Sequence, residues 1–388
     1  MQADQALPVS DIQVYTSYQA AEERWRAFEQ GALATPYQRY DWVEAWYRHV
    51  GANRGLEPLV VAAAAGGDGT VALWPLVVRS FGPIRVASWP GGKFANYNLG
   101  LYDRKMAPAL DEPALNAILD RLRDAGRVDA LSLRNQPEVW QGIRNPLLNL
   151  PNQPSPSFGY SLALRPDFKA LYAELRSGST RKKLRRSENR IESEYGSCTL
   201  RHVETREEVD RIIDAFIEQK AERMRERSLP NVFAVPGVMD LFRELAVRGL
   251  GTREPLLDLY WLDAGGQVAA TWAGTAAGGR LCGIFNSFDM GDLAQHQPGE
   301  VLLRDLLESC CARGLTDFDL GVGEASYKDS WCPRTDRLFD SFLPLSAAGR
   351  LHSAAAMSTY RLKRAAKQSK FLGDIANRLR LNRISLVD

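Results

Sequence analysis

Apolar positions along the chain change their period several times, and each change marks an element. From Pro58, "PLVVAAAAGGDGTVALWPLVV" holds two apolar runs of strand length around a glycine-rich turn, and "PIRVASW" supplies a third. Glycine provides the positive φ that a tight turn needs, so the pattern predicts a hairpin followed by another strand. In "EPALNAILDRLRDAG" the period lengthens. Leu115, Ile118, Leu119 and Leu122 fall on one helical face, and Gly126 predicts the stop. "VDALSLRNQ" then returns to strand.

The same order recurs from Leu256. "LLDLYWLDAGGQVAATWAGTAAGGRLCGIFNSF" gives three strand-like runs separated by "AGG" and "AAGG" turns. "PGEVLLRDLLESCCARG" reads as a helix with Pro298 where a missing N–H costs nothing and Gly314 at its end. In "TDFDLG", Phe318 and Leu320 alternate with Asp317 and Asp319, as in a strand. Meander, helix, strand, twice over, predicts two similar α/β domains, which suits a chain of 388 residues. The Pro-, Asn- and Ser-rich "NPLLNLPNQPSPS" is the predicted linker. The expected boundaries are residues 1–152 for the first domain and 153–350 for the second, with a helical insertion over 167–249. A basic amphipathic tail is expected over 351–388.

Composition narrows the class. With 45% apolar and 25% charged residues the chain reads as an ordinary globular protein. The N-terminal "MQADQALPVSDIQVY" lacks the basic and apolar regions of a secretory signal, and "LVVAAAAGG" is too short to span a bilayer, so a cytoplasmic location is expected. Five cysteines without CxxC spacing predict neither a disulfide framework nor a zinc site; Cys310 and Cys311 read as small core residues. The net charge of +2 is uneven. Residues 361–388 hold eight Lys or Arg against Asp374 and Asp388, or +6, which leaves −4 for the rest and argues against a DNA-binding body.

Cations also gather in the insertion. After the amphipathic "DFKALYAELRSG", with Ser179 as the expected cap, "TRKKLRRSENRIESEYG" carries Arg181, Lys182, Lys183, Arg185, Arg186 and Arg190 around a thin stripe of Leu184 and Ile191. "FIEQKAERMRER" adds Lys220, Arg223, Arg225 and Arg227. A solvated helix face accounts for most of these. Arg181 and Arg185, four apart and so on one face, are the candidates for holding phosphate groups of a ligand, with Lys220 as a further substrate-binding candidate.

The stretch "FDLGVGEASYKDSW" breaks at Gly321 and Gly323 into a loop carrying an acid, a phenol, an amine and an indole. Together with the second meander and "QPGEVLLRDLLESCCARGLTDFDLG", it resembles the acyltransferases of the GNAT superfamily. More narrowly the chain is similar to the FemAB-like branch, and to the CelD-type acetyltransferase domain of cellulose and exopolysaccharide biosynthesis. "TRKKLRRSENRIE" and "WPGGKFANYNLGL" add weaker support, and the likeness runs from about Val43 to Pro344. It implies an α/β (α+β) fold of two tandem GNAT-like domains, each a mixed, mainly antiparallel sheet flanked by helices.

The resemblance also implies a chemistry. Two strands splay apart, the pantetheine arm of an acyl-CoA lies along the exposed edge, and the pyrophosphate sits at the following helix N-terminus, where amides and dipole favour an anion. Here that turn is Gln297, Pro298, Gly299, Glu300 and Val301. It departs from the superfamily pattern, since it has one glycine, no N–H on Pro298 and a like charge at Glu300. For attack of an amine on a thioester, Glu324 is the candidate base, directly or through a water, Tyr327 the proton donor to sulfur and Lys328 the anion stabiliser or the holder of an acceptor phosphate, while Trp331 offers a flat face to a sugar or caps the pocket. His296 is a further candidate base. A turn cap, core packing and a surface salt bridge are the structural alternatives for these side chains.

The expected function is an acyl-CoA-dependent N-acyltransferase, with acetyl-CoA or another acyl-CoA as co-substrate and no metal. The expected acceptor is an amino sugar or nucleotide sugar of the envelope. An aminoacyl-tRNA-dependent, FemX-like peptidoglycan transferase and a non-catalytic ligand sensor or scaffold are the alternatives. Through its cations the tail can meet a membrane surface, a cyclic dinucleotide or a protein, or pack back on its own body.

Overall fold

A computed structural model describes residues 9–66 and 69–368. The chain divides into two compact units. One comprises residues up to Phe158 and from Asp336 onward, and the other is Gly159–Thr335. The second domain is expected to run to residue 350; instead the chain returns to the first unit at Asp336. The reason is strand pairing. Leu338–Pro344 forms an antiparallel ladder with Ala130–Pro137, which would otherwise be left as an open edge.

In the first unit the sheet order is Val9–Tyr15, Glu57–Ala65, Thr70–Phe81, Ile84–Ser88, Ala130–Pro137, Leu338–Pro344 and Gln153–Pro154. Among the described residues only Ile84–Ser88 and Ala130–Pro137 run parallel here, joined through the helix Glu112–Asp124. Asp111 caps that helix by accepting from the Ala114 amide at 3.0 Å, and Leu115, Ile118, Leu119 and Leu122 are its buried face, as their spacing predicts.

The second unit repeats the plan. Its order is Thr199–His202, Asp258–Ala264, Gln267–Ala277, Arg280–Phe288, Asp317–Val322, Gly159–Ala163 and Arg334–Asp336. Here too the pair bridged by a helix is parallel, Arg280–Phe288 with Asp317–Val322 through Pro298–Ala312. Both hairpin turns have left-handed backbone at their two central residues, Gly265 and Gly266 in one and Gly278 and Gly279 in the other. That geometry matches the twist of the flanking strands and is open to glycine at least strain. The structure therefore has the mixed α/β class expected, with two sheets of mainly antiparallel strands flanked by helices.

Two local expectations are corrected. Helix Gly178–Tyr195 is capped by Ser177, which accepts from the Thr180 amide at 3.2 Å, and not by Ser179. Asp319 does not alternate outward; Phe318, Asp319 and Leu320 are all buried, because the strand has neighbours on both sides. All five cysteines are buried and none forms a disulfide.

The basic tail is a helix over Ala347–Gln368, and residues 369–388 of that expected tail lie outside the described residues. The helix lies on the first unit's own sheet. Tyr360 meets the Phe342 ring with centroids 5.4 Å apart, and Arg361 Nε donates to Gln153 Oε1 at 3.0 Å. No helix among the described residues is long and apolar enough to cross a membrane.

Candidate active site

The parallel pair in the second unit stays in register for three residues only. Arg280, Leu281 and Cys282 face Asp317, Phe318 and Asp319, and beyond them Arg280–Phe288 runs on without Asp317–Val322. Register on the other side shifts at the same level, between Ala273 and Gly274, so the strand bulges there. Ladder pairing between Arg280–Phe288 and Asp317–Val322 thus ends at Cys282, beside the bulge.

A pocket of about 240 Å³ opens at this place. Thr271 and Trp272 come from one strand and Asn286, Ser287 and Phe288 from the next. The following helix contributes Gln297, Pro298, Gly299, Glu300, Leu302 and Leu303, and Arg223 and Tyr327 complete the wall. A second pocket of about 300 Å³ shares Gln297 and Glu300 and is otherwise lined by Arg176, Thr180, Lys183 and Leu184.

The loop after Asp317–Val322 is shaped by charge as well as glycine. Asp319, fully buried, pairs with Arg280, whose Nε donates to its Oδ2 at 2.9 Å. Gly321 and Gly323 both take positive φ, and the chain then forms the short helix Ser326–Trp331. Three of its side chains go three ways. Tyr327 enters the pocket, where its Oη accepts from Asn286 Nδ2 at 3.3 Å, and burial raises its pKa, so the phenol holds its proton. Lys328 turns inward instead, its ammonium donating to Gly321 O and Val322 O, both at 3.2 Å. Burial outweighs Asp319 and pulls its pKa down to about 8. Trp331, fully buried, lies parallel to the Tyr172 ring and beneath Arg176, with its Nε1 donating to Glu300 Oε2 at 3.1 Å.

Of the expected catalytic side chains, the structure thus brings only Tyr327 to the pocket. Glu324 is exposed and off its wall; Lys328 fastens the loop to the strand end; Trp331 presents no free face to a sugar, since Tyr172 and Arg176 cover it. Of the turn residues, Gln297, Pro298, Gly299 and Glu300 line the pocket while Val301 is buried in the core. Glu300 pairs with Arg176, which offsets its charge. His296 is buried against Glu194, at 2.9 Å from Nε2 to Oε2, and does not reach the pocket.

The phosphate candidates Arg181 and Arg185 face neither pocket. Helix Gly178–Tyr195 is held by Leu184, Ser187 and Ile191 and by Glu188, which accepts from both Arg304 Nη atoms at 2.7 and 2.8 Å. That rotation turns Thr180 and Lys183 toward the second pocket. Lys220 lies behind the first pocket, its Nζ donating to Asn286 O at 3.3 Å, and burial lowers its pKa to about 8. Arg223 was one of several cations in its segment, and only the packing of helix Arg206–Glu226 on the sheet selects it. Asn286 carries a signal in the sequence, an amide that ends the apolar run "LCGIF".

The second unit is thus a mixed sheet whose parallel pair parts beyond Cys282, with a helix N-terminus and a buried phenol beside the gap. Residues 178–329, about two fifths of the chain and all within the second unit, match the family model of the acetyltransferase (GNAT) domain. No curated protein matches the chain. Among solved structures, FemX is similar at 12% identity over 85% of this chain and 97% of its own, with a TM-score of 0.57. A conserved protein of unknown function from Bacteroides thetaiotaomicron gives 12%, 87%, 99% and 0.52 in the same order. L-PGS from Bacillus licheniformis gives 12%, 87%, 96% and 0.51. At these identities the likeness is one of fold.

Proposed function

We propose that the protein is an acyl-CoA-dependent N-acyltransferase, most simply an acetyltransferase, acting in the cytoplasm on an amino sugar of an envelope polymer or exopolysaccharide. The acceptor class follows the FemAB-like and CelD-type resemblance. The observation that carries the reading is the parting of the parallel pair beyond Cys282, next to a pocket lined by Asn286, Phe288 and Tyr327.

In this reading the pantetheine amides pair with Arg280–Phe288 beyond that point and bring the thioester carbon to Tyr327. The acceptor amine attacks, a C–N bond forms and the C–S bond breaks. The amine gives its proton to water, and Tyr327, kept protonated by burial, gives one to the leaving thiolate. The start of helix Pro298–Ala312 receives the pyrophosphate.

Isothermal titration with acetyl-CoA tests this. An added Cβ at Gly299 would meet Phe288 only at 3.5 Å, an ordinary contact, so Gly299→Glu adds a repelling carboxylate without forcing the fold apart. Saturable binding by the wild type, kept in Gly299→Ala and lost in Gly299→Glu, is the expected result. Absence of binding to folded wild type would sink the acetyl-CoA reading.

One observation favours a second reading. The Glu300 and Val301 amides already point to Gln297 O, at 3.0 and 3.3 Å, and Pro298 has none, so this helix start offers a pyrophosphate few donors. An aminoacyl-tRNA donor, as in a FemX-like transferase, would not need them. Binding of aminoacyl-tRNA that weakens steeply with salt would select it.

A further inference from the structure

The pocket beside Tyr327 holds a cation that the acyl-transfer step does not use. Two charged side chains line it, Glu300 and Arg223. Glu300 is satisfied by Arg176 and by the Trp331 indole N–H. Arg223 has no such partner. Its guanidinium lies over the Phe288 ring, 4.6 Å from the centroid. One turn earlier on the same helix face, Lys220 sits on the Asn286 carbonyl with its ammonium 5.4 Å from the Phe233 ring centroid. Among the described residues no carboxylate forms an ion pair with either cation. The neighbour whose charge both feel is Arg227, another cation.

Two adjacent cations, partly withdrawn from water and without a counter-ion, raise the free energy of the protein; burial lowers the pKa of both for this reason. An incoming anion would relieve the repulsion and accept charge-assisted hydrogen bonds from a planar guanidinium. We infer that the ligand of this pocket carries an anionic group, a phosphate or a carboxylate, that docks on Arg223 with Lys220 as the second cation behind it.

The anion site itself follows from the two cations; what the anion belongs to rests on the acyltransferase reading. Within that reading it has two sources. It can be the pyrophosphate of the acyl donor, for which Arg223 would replace the donors that the Gln297 to Glu300 turn lacks, since Phe288 is shared by Arg223 and Gly299. Or it can be an acid group on the acceptor amine.

Titration of the full chain with inorganic pyrophosphate at low ionic strength decides the site. The expected result is saturable binding that weakens about tenfold or more in Arg223→Gln and less in Arg223→Lys, with matched thermal melts. No binding by the wild type, or equal binding by Arg223→Gln, would overturn the inference. CoA and pantetheine, titrated against the same proteins, then locate the source. If Arg223→Gln weakens CoA and leaves pantetheine unchanged, the anion is the donor's; if CoA binds both proteins alike while pyrophosphate still depends on Arg223, it is the acceptor's. If wild type ignores CoA and pantetheine but binds pyrophosphate through Arg223, the acyl-CoA reading fails and the anion site stands.

Discussion

Asp340 gives a quantitative test of the first unit. It lies on the strand Leu338–Pro344, 1% exposed, under the helix Ala347–Gln368. Its Oδ1 accepts from the Asn135 amide at 2.9 Å, while its Oδ2 is buried without a hydrogen bond. Burial raises its pKa from 3.8 to about 6, against the pull of Arg134 and Lys363. A carboxyl whose pKa is raised on folding stabilises the fold most when protonated. That contribution is full below about pH 4 and is lost as the pH rises through about 6. A shift of about two units corresponds to about 3 kcal/mol between those limits. In Asp340→Asn the amide oxygen can still accept from Asn135 and no charge is buried at any pH, although its NH₂ needs a partner, at a cost of about 1–3 kcal/mol. The variant should therefore gain about 3 kcal/mol relative to wild type on going from pH 4 to pH 8. Asp305 is raised to about 6 as well, but it is present in both proteins and cancels in the difference. Urea unfolding followed by intrinsic fluorescence is the assay, because six of the nine tryptophans belong to the first unit. A difference between the two proteins that does not change with pH would refute the reasoning.

Tyr327→Phe keeps the packing and removes the proton donor; turnover in a CoA-release assay should fall by about a hundredfold or more, with acetyl-CoA affinity within about twofold. An unchanged turnover would remove Tyr327 from the chemistry. Gly265→Ala should lower stability by at least about 2 kcal/mol, because φ is 59° and the new Cβ would fall on the Tyr195 carbonyl oxygen. Thermal denaturation checks it, and a neutral result would show that the turn can move away from Tyr195.

The elements of both sheets were legible because their signals are local. The "AGG" and "AAGG" turns require left-handed backbone, and the apolar faces of Glu112–Asp124 and Pro298–Ala312 show at a period of 3.6. The family resemblance singled out Tyr327 and the turn from Gln297 to Glu300, and all of them line one pocket. It gave no information about direction. Lys328 is one residue from Tyr327 yet tethers backbone carbonyls, and Trp331, one turn on, faces Arg176 rather than a ligand. On a short helix, successive side chains point about 100° apart, so only the neighbouring elements decide which of them meets the pocket.

Strand pairing and charge compensation are likewise non-local. Nothing near Asp336 in sequence announces that Leu338–Pro344 completes the first unit's sheet, because its partner lies some two hundred residues earlier. Arg223 and Arg181 look alike in sequence; one is left without a carboxylate beside a cavity and the other lies away from it. The sequence by itself determined which elements form and which chemical groups they carry, since both depend on neighbours a few residues away. The tertiary structure alone decided which cations lack a counter-ion, which acid is buried and which phenol reaches the gap between the splayed strands, since these depend on groups that only folding brings together.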